Sequence, residues 1–433
     1  MMNQLYLYVP SLDDLWYRKR IMSDPDTMSY NKGYNLEIDG YDNRTGCIEF
    51  PEYNWRGWFN KFIGNEPDRY YAYIVRSEDN AFIGEVCAYK SSANSWHEIG
   101  IVLEAMYRCM GYAEEALKLL LEHAFEEMGV ETIHNYFEAT RTAAVRTHLS
   151  VGFFEYKREN NIIELLITKE RFYRKKAIKK MVSRISTILS SCRPSIYLYG
   201  SVVLDDFKIG WSDIDILVLT QERISMEQAQ ELLELRQKLL QEESDNHYYR
   251  SFEGGMLSVG AFVNREPDRV VYWGTSGQRI TDFYDFDSFC MVGLLENGVL
   301  LYGEELRSSF KRPDYNNLHS DVQKHYEAIR KYAQRTDRSF YSFGWLLDIA
   351  RGIYTLHTGN VISKTAAGQW ALCENLCPVP KSLEAALKVR RSPLKYKDDL
   401  QMLDYAEMLG PDVQRFTDVL EEELKREQDW GNG

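Results

Sequence analysis

The hydrophobic period changes along this chain in a way that leaves few architectures open. Up to about residue 168, strand-like runs such as YYAYIV, FIGEVCAY and EIGIVL accompany one amphipathic helical stretch, AEEALKLLLEHAFEEM at 113–128. Alternation with a period of two therefore shares the segment with a period of 3.6. The same mixture returns from residue 196 to about 310, with the runs IYLYG, IDILVLT and MLSVGAFV and a charged helix at 225–240 between the second and third. After Pro313 strand patterning stops, and helical segments such as DVQKHYEAIRKYAQR, YSFGWLLDIARGIYTLHT and DDLQMLDYAEMLG follow.

Between the two mixed segments lies KERFYRKKAIKKMVSR at 169–184, densely basic and helix-permissive, and then SSCRPS breaks the pattern. The 433 residues exceed one ordinary core. The expected organisation is a mixed α/β domain at 1–170, a solvated basic linker helix at 171–195, a second α/β core at 196–312 and a helical subdomain at 313–433. The fold class is accordingly α/β and α+β, multidomain.

Composition narrows the function. A net charge of −13 argues against a protein that tracks nucleic-acid phosphates and favours cationic small molecules. No apolar run is long enough for a membrane span, and the opening MMNQLYLYVPSLDDLWYRKR lacks the basic-then-apolar order of a signal peptide, so no membrane partner and a cytoplasmic location are expected. The seven cysteines form no framework of spacings and read as reduced thiols, Cys373 and Cys377 included.

The strongest chemistry lies in Tyr197-Leu-Tyr-Gly-Ser201, VVLDDFKIGW and Ser212-Asp-Ile-Asp-Ile-Leu-Val218. On a strand, Asp213 and Asp215 project to one face while Ile214 and Ile216 enter the core. Paired carboxylates of this kind suit Mg²⁺, which keeps substrate phosphates among its ligands. Gly200 permits close approach to a phosphate, and the Ser201 hydroxyl and nearby N–H groups can hold it. A third carboxylate, completing a metal site or acting as general base, is assigned to Glu253 at the start of an apolar run, in preference to Glu243 and Asp245 in the acidic stretch QEESDN.

This arrangement resembles the nucleotidyltransferase signature, Gly-Ser followed after a spacer by Asp-x-Asp. YLYGSVVLDDFKIGWSDIDILVLT and ARGIYTLHTGNVISKTAAGQWAL are moreover similar to the aminoglycoside adenylyltransferases that inactivate streptomycin and spectinomycin, from about residue 196 to 420. The resemblance implies ATP as co-substrate, a nucleotide held around Gly200, Ser201 and Ser212, and phosphate contacts from Arg351 and Lys364. Between Tyr302 and Gly344 the chain departs from the family's streptomycin-binding stretch. Aromatic and acidic side chains in DRVVYWGTSGQRITDFYDFDSF, including Tyr272 and Trp273, are the remaining candidates for an amino sugar.

The first domain resembles the GNAT acetyltransferases from about residue 5 to 168. Arg108, Gly111 and Ala113 fit the Arg/Gln-x-x-Gly-x-Gly/Ala turn between a strand and a helix, where small residues and free N–H groups at the positive end of the helix wrap a pyrophosphate. The resemblance implies acetyl-CoA, with its phosphates at Arg108, Met110, Gly111 and Ala113 and its pantetheine arm along Val102 and Leu103. The usual downstream Asn and Ser or Tyr are replaced near Arg141 and Ala144; Tyr136, His148 or bulk water could serve as the acid, and Glu98 is the candidate for orienting or deprotonating an amine. The whole chain is then expected to be an Mg²⁺-dependent adenylyltransferase joined to an N-acetyltransferase, both acting on aminoglycoside-like amino sugars. The alternatives are a GNAT-like domain that only binds, or another metabolite or a protein as nucleotidyl acceptor.

Overall fold

The computed structural model describes residues 4–426 apart from 35, 37, 92–95 and 275–276. The chain divides into two compact units, Met1–Lys176 and Ala177–Gly433.

The first unit holds a seven-stranded sheet. Its strands are β1 (Leu5–Tyr8), β2 (Arg69–Arg76), β3 (Phe82–Lys90), β4 (His97–Leu103), β5 (Thr132–Glu138), β6 (Phe154–Glu159) and β7 (Ile162–Thr168), in spatial order β1-β2-β3-β4-β5-β7-β6. Every pairing is antiparallel except β4 with β5. The parallel pair is joined by the helix Tyr112–Glu126, whose Ala116, Leu117, Leu120, Leu121, Ala124 and Phe125 recur at helical spacing and are all fully buried. They cover one face of the sheet, through Ala72, Ile74, Val86, Ala88, Ile99 and Ile133. The opposite face, with Tyr71, Tyr73 and Cys87, is packed by aromatic side chains from the segments before β2. Pairing of β4 to β5 stops after His97↔Ile133 and Glu98↔His134, so the rest of β4 has no β5 partner and the sheet splays open beside the helix N-terminus.

The second unit is built on a six-stranded sheet in the order β12-β11-β10-β9-β8-β13, with β8 (Pro194–Tyr199), β9 (Ile214–Thr220), β10 (Phe252–Ser258), β11 (Val270–Gly274), β12 (Gly277–Thr281) and β13 (Val299–Tyr302). Only β9 and β10 run parallel. Their crossover contains the helix Met226–Glu242, which Ser225 and Gln228 start with a reciprocal capping box. Among the described residues no strand follows Tyr302; the helices from Tyr315 to Lys425 pack around Gly344–Thr358, which buries Leu346, Leu347, Ile349, Ala350, Ile353 and Leu356. The fold is thus mixed α/β, with a GNAT-like sheet domain, a second mixed sheet domain and C-terminal helices.

The basic run differs from a solvated linker. It forms the helix Lys169–Ile188, and Ala177, Ile178, Met181, Val182 and Ile185, spaced three and four apart, are buried. Its charges are paired: Lys176 with Glu122, Lys180 with Glu242 and Glu243, Arg184 with Glu242. Density of lysine masked an apolar stripe that the spacing contains. The division between the units falls inside this helix, and β8 begins at Pro194, two residues before the apolar run.

Candidate functional sites

In the second unit, Tyr199 of β8 and Glu253 of β10 stand opposite Asp215 of β9 on either side. Directly opposed residues share a face, so Asp215 and Glu253 lie together. Asp213, one residue before β9 begins, joins them through a side-chain hydrogen bond with Glu253. Ile214 and Ile216 point to the other side and are fully buried, as the period of two requires. The structure thus brings Asp213, Asp215 and Glu253 together. Desolvation first, then the charge of Glu253, lifts the Asp213 carboxyl to about 7. Desolvation, then Asp213 and Glu253, lifts Asp215 to about 8. Partly buried like charges favour the protonated form.

Gly200 is shaped to this cluster. Its φ is +71°, and a Cβ there would fall 2.0 Å from Asp215 Oδ2; only glycine meets both conditions. The Ser201 amide donates to the Asp215 carboxylate, and its hydroxyl donates to the Asp213 carbonyl at 3.3 Å. Ser212 has a different place: its Oγ accepts the Lys208 N–H at 3.0 Å and closes the turn before Asp213. Of the acids passed over, Glu243 is held by Lys180 at 2.8 Å and Tyr249 at 3.0 Å. Tyr272 donates to Glu253 Oε1 at 3.3 Å, whereas Trp273 is core.

Arg351 and Lys364 converge on one carboxylate that sequence reasoning missed. Lys364 Nζ lies 2.9 Å from Asp348 Oδ1, and Arg351 donates to the same oxygen at 3.3 Å. The Lys364 charge also acts on Asp213 and Asp215. Burial raises the Asp348 carboxyl, but Lys364 and Arg351 outweigh it and hold it below the usual range. Asp348 was discoverable, since it precedes Arg351 by three residues on a helix and so shares its face. Arg236, whose charge reaches Asp213 and Glu253, was not: it sits in the charged helix Met226–Glu242 and is turned inward onto the Tyr249 and Arg250 carbonyls.

Among the described residues no group of three or more His, Cys, Asp or Glu stands already arranged to hold a metal ion. The donor chemistry of the cluster nonetheless suits Mg²⁺. Asp213 and Asp215 offer hard carboxylate oxygens, and Asp213 shares a hydrogen bond with Glu253 where a cation would relieve the same repulsion.

In the first unit the ligand features are made by backbone. Cys109 and Gly111 both take left-handed conformations, φ 62° and 85°, and Gly111 is the N-cap of Tyr112–Glu126 with no side-chain cap. The Glu114 N–H turns back to the Gly111 carbonyl at 3.2 Å, and the N–H groups of Tyr112 and Ala113 are those that an external acceptor could take. Arg108 does not extend from the turn; its guanidinium donates to the carbonyls of Leu103, Asp26 and Thr27 and fixes the loop. Met110 is exposed, Ala113 half-buried in the first helical turn, and Val102 and Leu103 lie on the end of β4 that pairs with β3 but not with β5.

On the sheet face away from that helix, Glu98 Oε2 accepts from Tyr89 at 2.9 Å, while its Oε1 is buried with no hydrogen-bond partner. Tyr136, exposed, is within reach of the Glu98 charge, which raises its hydroxyl. His148 is unsuited to proton transfer. It is 3% exposed, with Nδ1 on the Ala144 carbonyl at 2.8 Å and Nε2 on the Asn135 amide at 2.9 Å, and desolvation pushes its pKa down.

A backbone turn beside the open end of a sheet in the first unit, and a carboxylate cluster on the sheet of the second, are the two candidate ligand sites. Comparison with known proteins specifies the domains. Residues 4–154 match the acetyltransferase (GNAT) domain and residues 175–258, which include Asp213, Asp215 and Glu253, match the nucleotidyltransferase domain. Both domains are therefore present in one chain. The uncharacterized N-acetyltransferase YnaD of Bacillus subtilis (strain 168) is 34% identical over 84 residues, 19% of this chain and 48% of that protein. The chain thus spans about half the length of this curated relative, 48%. A GNAT-family acetyltransferase from Bacillus anthracis matches at 21% identity over 39% of this chain and 96% of its own, with a TM-score of 0.31. The spermidine N-acetyltransferase of Vibrio cholerae, solved with CoA and spermine, matches at 15% identity over 39% of this chain and 98% of its own, with a TM-score of 0.32. No helix among the described residues is long and apolar enough to cross a membrane.

Proposed function

We propose that the second unit transfers an adenylyl group from ATP to a hydroxyl of an aminoglycoside-like small molecule, and that the first transfers acetyl from acetyl-CoA to an amine of a similar cationic acceptor. The observation that carries the first half is the gathering of Asp213, Asp215 and Glu253 against a glycine that admits no side chain, within reach of the Lys364 charge. Asp213 and Asp215, with Glu253 beside them, would hold Mg²⁺, which when bound neutralises phosphate charge and steadies the attacking and leaving oxygens. The acceptor oxygen bonds to the α-phosphorus as the bond to pyrophosphate breaks, and its proton passes to Glu253. Lys364 and Arg351 exchange Asp348 for the charge developing on pyrophosphate. The net charge of −13 supports a cationic acceptor.

In the first unit, the Tyr112–Glu126 helix start would take the CoA pyrophosphate, and the Glu98 carboxylate would orient the incoming amine and take up its proton. A bond forms from the amine nitrogen to the acetyl carbon, and CoA leaves as its thiol. A second reading, in which this domain binds CoA without transferring acetyl, draws support from one observation: His148, a candidate acid, is locked in the core.

The test is pyrophosphate release from ATP with Mg²⁺ against a panel of aminoglycosides including spectinomycin, alongside acetyl transfer to the same panel. Release that needs one drug and disappears in Asp215→Asn supports the reading. Silence across the panel would remove aminoglycosides as acceptors. Heat of CoA binding without acetyl transfer would select the second reading of the first unit.

A further inference from the structure

One buried ion pair lies outside the chemistry assigned so far. Asp206 and Arg390 are 4% and 3% exposed, and Arg390 Nη2 donates to Asp206 Oδ2 at 2.8 Å. Charges are withdrawn from water only at a large desolvation penalty, and replacing such a pair by apolar residues is often neutral for stability. The partners of this one show what it holds. Asp206 belongs to the loop that leaves Gly200-Ser201, and its N–H donates to the Ser201 carbonyl at 2.9 Å. Thr365 donates through its hydroxyl to Asp206 Oδ1 at 2.6 Å, and its N–H reaches Oδ2 at 3.4 Å. Arg390 Nε also donates to the Thr365 hydroxyl, at 3.1 Å. Thr365 is the second residue of the helix Lys364–Cys373, so the Asp206 carboxylate sits at that helix's positive end.

The residue immediately before Thr365 is Lys364. Its ammonium is set between Asp348, at 2.9 Å, and the electrostatic reach of Asp213 and Asp215. The backbone that carries it is therefore fixed to the same loop that presents Gly200 and Ser201. We infer that Asp206, Arg390 and Thr365 are positioning residues that lock the start of the Lys364–Cys373 helix to the Gly200-Ser201 turn, so that Lys364 meets the triphosphate already in place. The inference rests on the proposed ATP site. A lysine on an unanchored helix start would have to be ordered each time ATP bound, and that entropy would appear as weaker affinity.

The experiment is calorimetric titration of the full chain with ATP and Mg²⁺, with thermal midpoints measured in parallel. Thr365→Val removes the hydroxyl while leaving the ion pair and the side-chain volume. Its ATP affinity is expected to fall about tenfold with the midpoint little changed, the scale of one lost hydrogen bond to a charged group. Thr365→Ser, which restores the hydroxyl, is expected to bind as the wild type does. If Thr365→Val does not fold, Arg390→Lys, which keeps the charge and loses the bond to Thr365, serves in its place with the same expected fall. ATP affinity that drops with Lys364→Ala but not with these variants would overturn the inference and leave the ATP site standing. Affinity indifferent to Lys364→Ala would overturn the reading of the site itself, and this inference with it.

Discussion

The two candidate ligand sites of this chain are made from different materials. The first unit presents backbone: left-handed Cys109 and Gly111, a helix start without a side-chain cap, and a strand end without its β5 partner. The second presents charge: carboxylates within electrostatic reach of Lys364 and Arg236, with Lys364 and Arg351 gathered on Asp348. A backbone site tolerates side-chain change and responds to altered φ and ψ, whereas a charged site responds to the loss of one oxygen. The substitutions below separate these two behaviours, and each would break the contrast if it crossed over.

The largest effect is expected from Asp215→Asn. Removing one of two carboxylates on which Mg²⁺ would rest should lower pyrophosphate release by about a thousandfold or more, the scale of a lost electrostatic stabiliser in phosphoryl transfer. Acetyl-CoA binding by the first unit should be unchanged in calorimetry. A variant that still released pyrophosphate at a tenth of the wild-type rate would remove Asp215 from the site. Gly200→Ala comes next, because it tests shape without removing charge. Its Cβ would lie 2.0 Å from Asp215 Oδ2 at a φ of +71°, so Asp215 must move. About a hundredfold loss of transfer is expected, since small displacements of reacting groups are that costly.

This contrast also decides what the sequence could reveal. Asp213, Asp215 and Glu253 were legible because side-chain type and strand period together specify a shared face, and the register Glu253↔Asp215 supplies the rest. The helices Tyr112–Glu126 and Met226–Glu242 fall within two residues of their periodic stretches. Arg236 and the Asp206–Arg390 pair were illegible for a common reason. Each owes its role to a partner far along the chain, such as Asp206 and Arg390 at 184 residues' separation, and periodicity carries no such information. His148 misled in the opposite way: its residue type promised acid chemistry, and only its two internal hydrogen bonds show it to be core.

A milder effect is expected at the backbone site. Nothing lies within 4 Å of a Cβ built on Gly111, so Gly111→Ala would meet no clash and only the cost of φ +85°. That strain is about 1–2 kcal/mol, and CoA affinity should fall about tenfold if the turn must relax to bind. Nucleotidyl transfer should be untouched. Gly111→Ala binding CoA as the wild type does would show that the left-handed turn is not what holds the ligand.

The smallest effect, and the one that contrasts the units most directly, is the sign of their pH dependence without metal. Asp213 and Asp215 are raised to about 7 and about 8 in the folded chain, against about 3.9 when unfolded. Between these values the folded state binds protons that the unfolded chain has released, so their contribution is full below about pH 4 and is lost as pH rises toward 8. His148 has the opposite linkage. Its folded pKa is depressed, chiefly by desolvation, so its contribution is present above the unfolded value of about 6.5 and is lost as pH falls below it. Differential scanning calorimetry from pH 5 to 8.5 should therefore show the second unit's midpoint falling as pH rises, by about 2–4 °C for each kcal/mol lost. Mg²⁺ should restore it most at the alkaline end, where the carboxylates bind the cation without giving up a proton. The first unit should weaken on acidification instead. His148→Gln, which keeps an amide near the same partners, should flatten that acid limb, and Asp215→Asn should reduce the alkaline fall in the second unit. Midpoints that moved together with pH, in either direction, would mean that these buried groups do not govern the stability of the units that contain them.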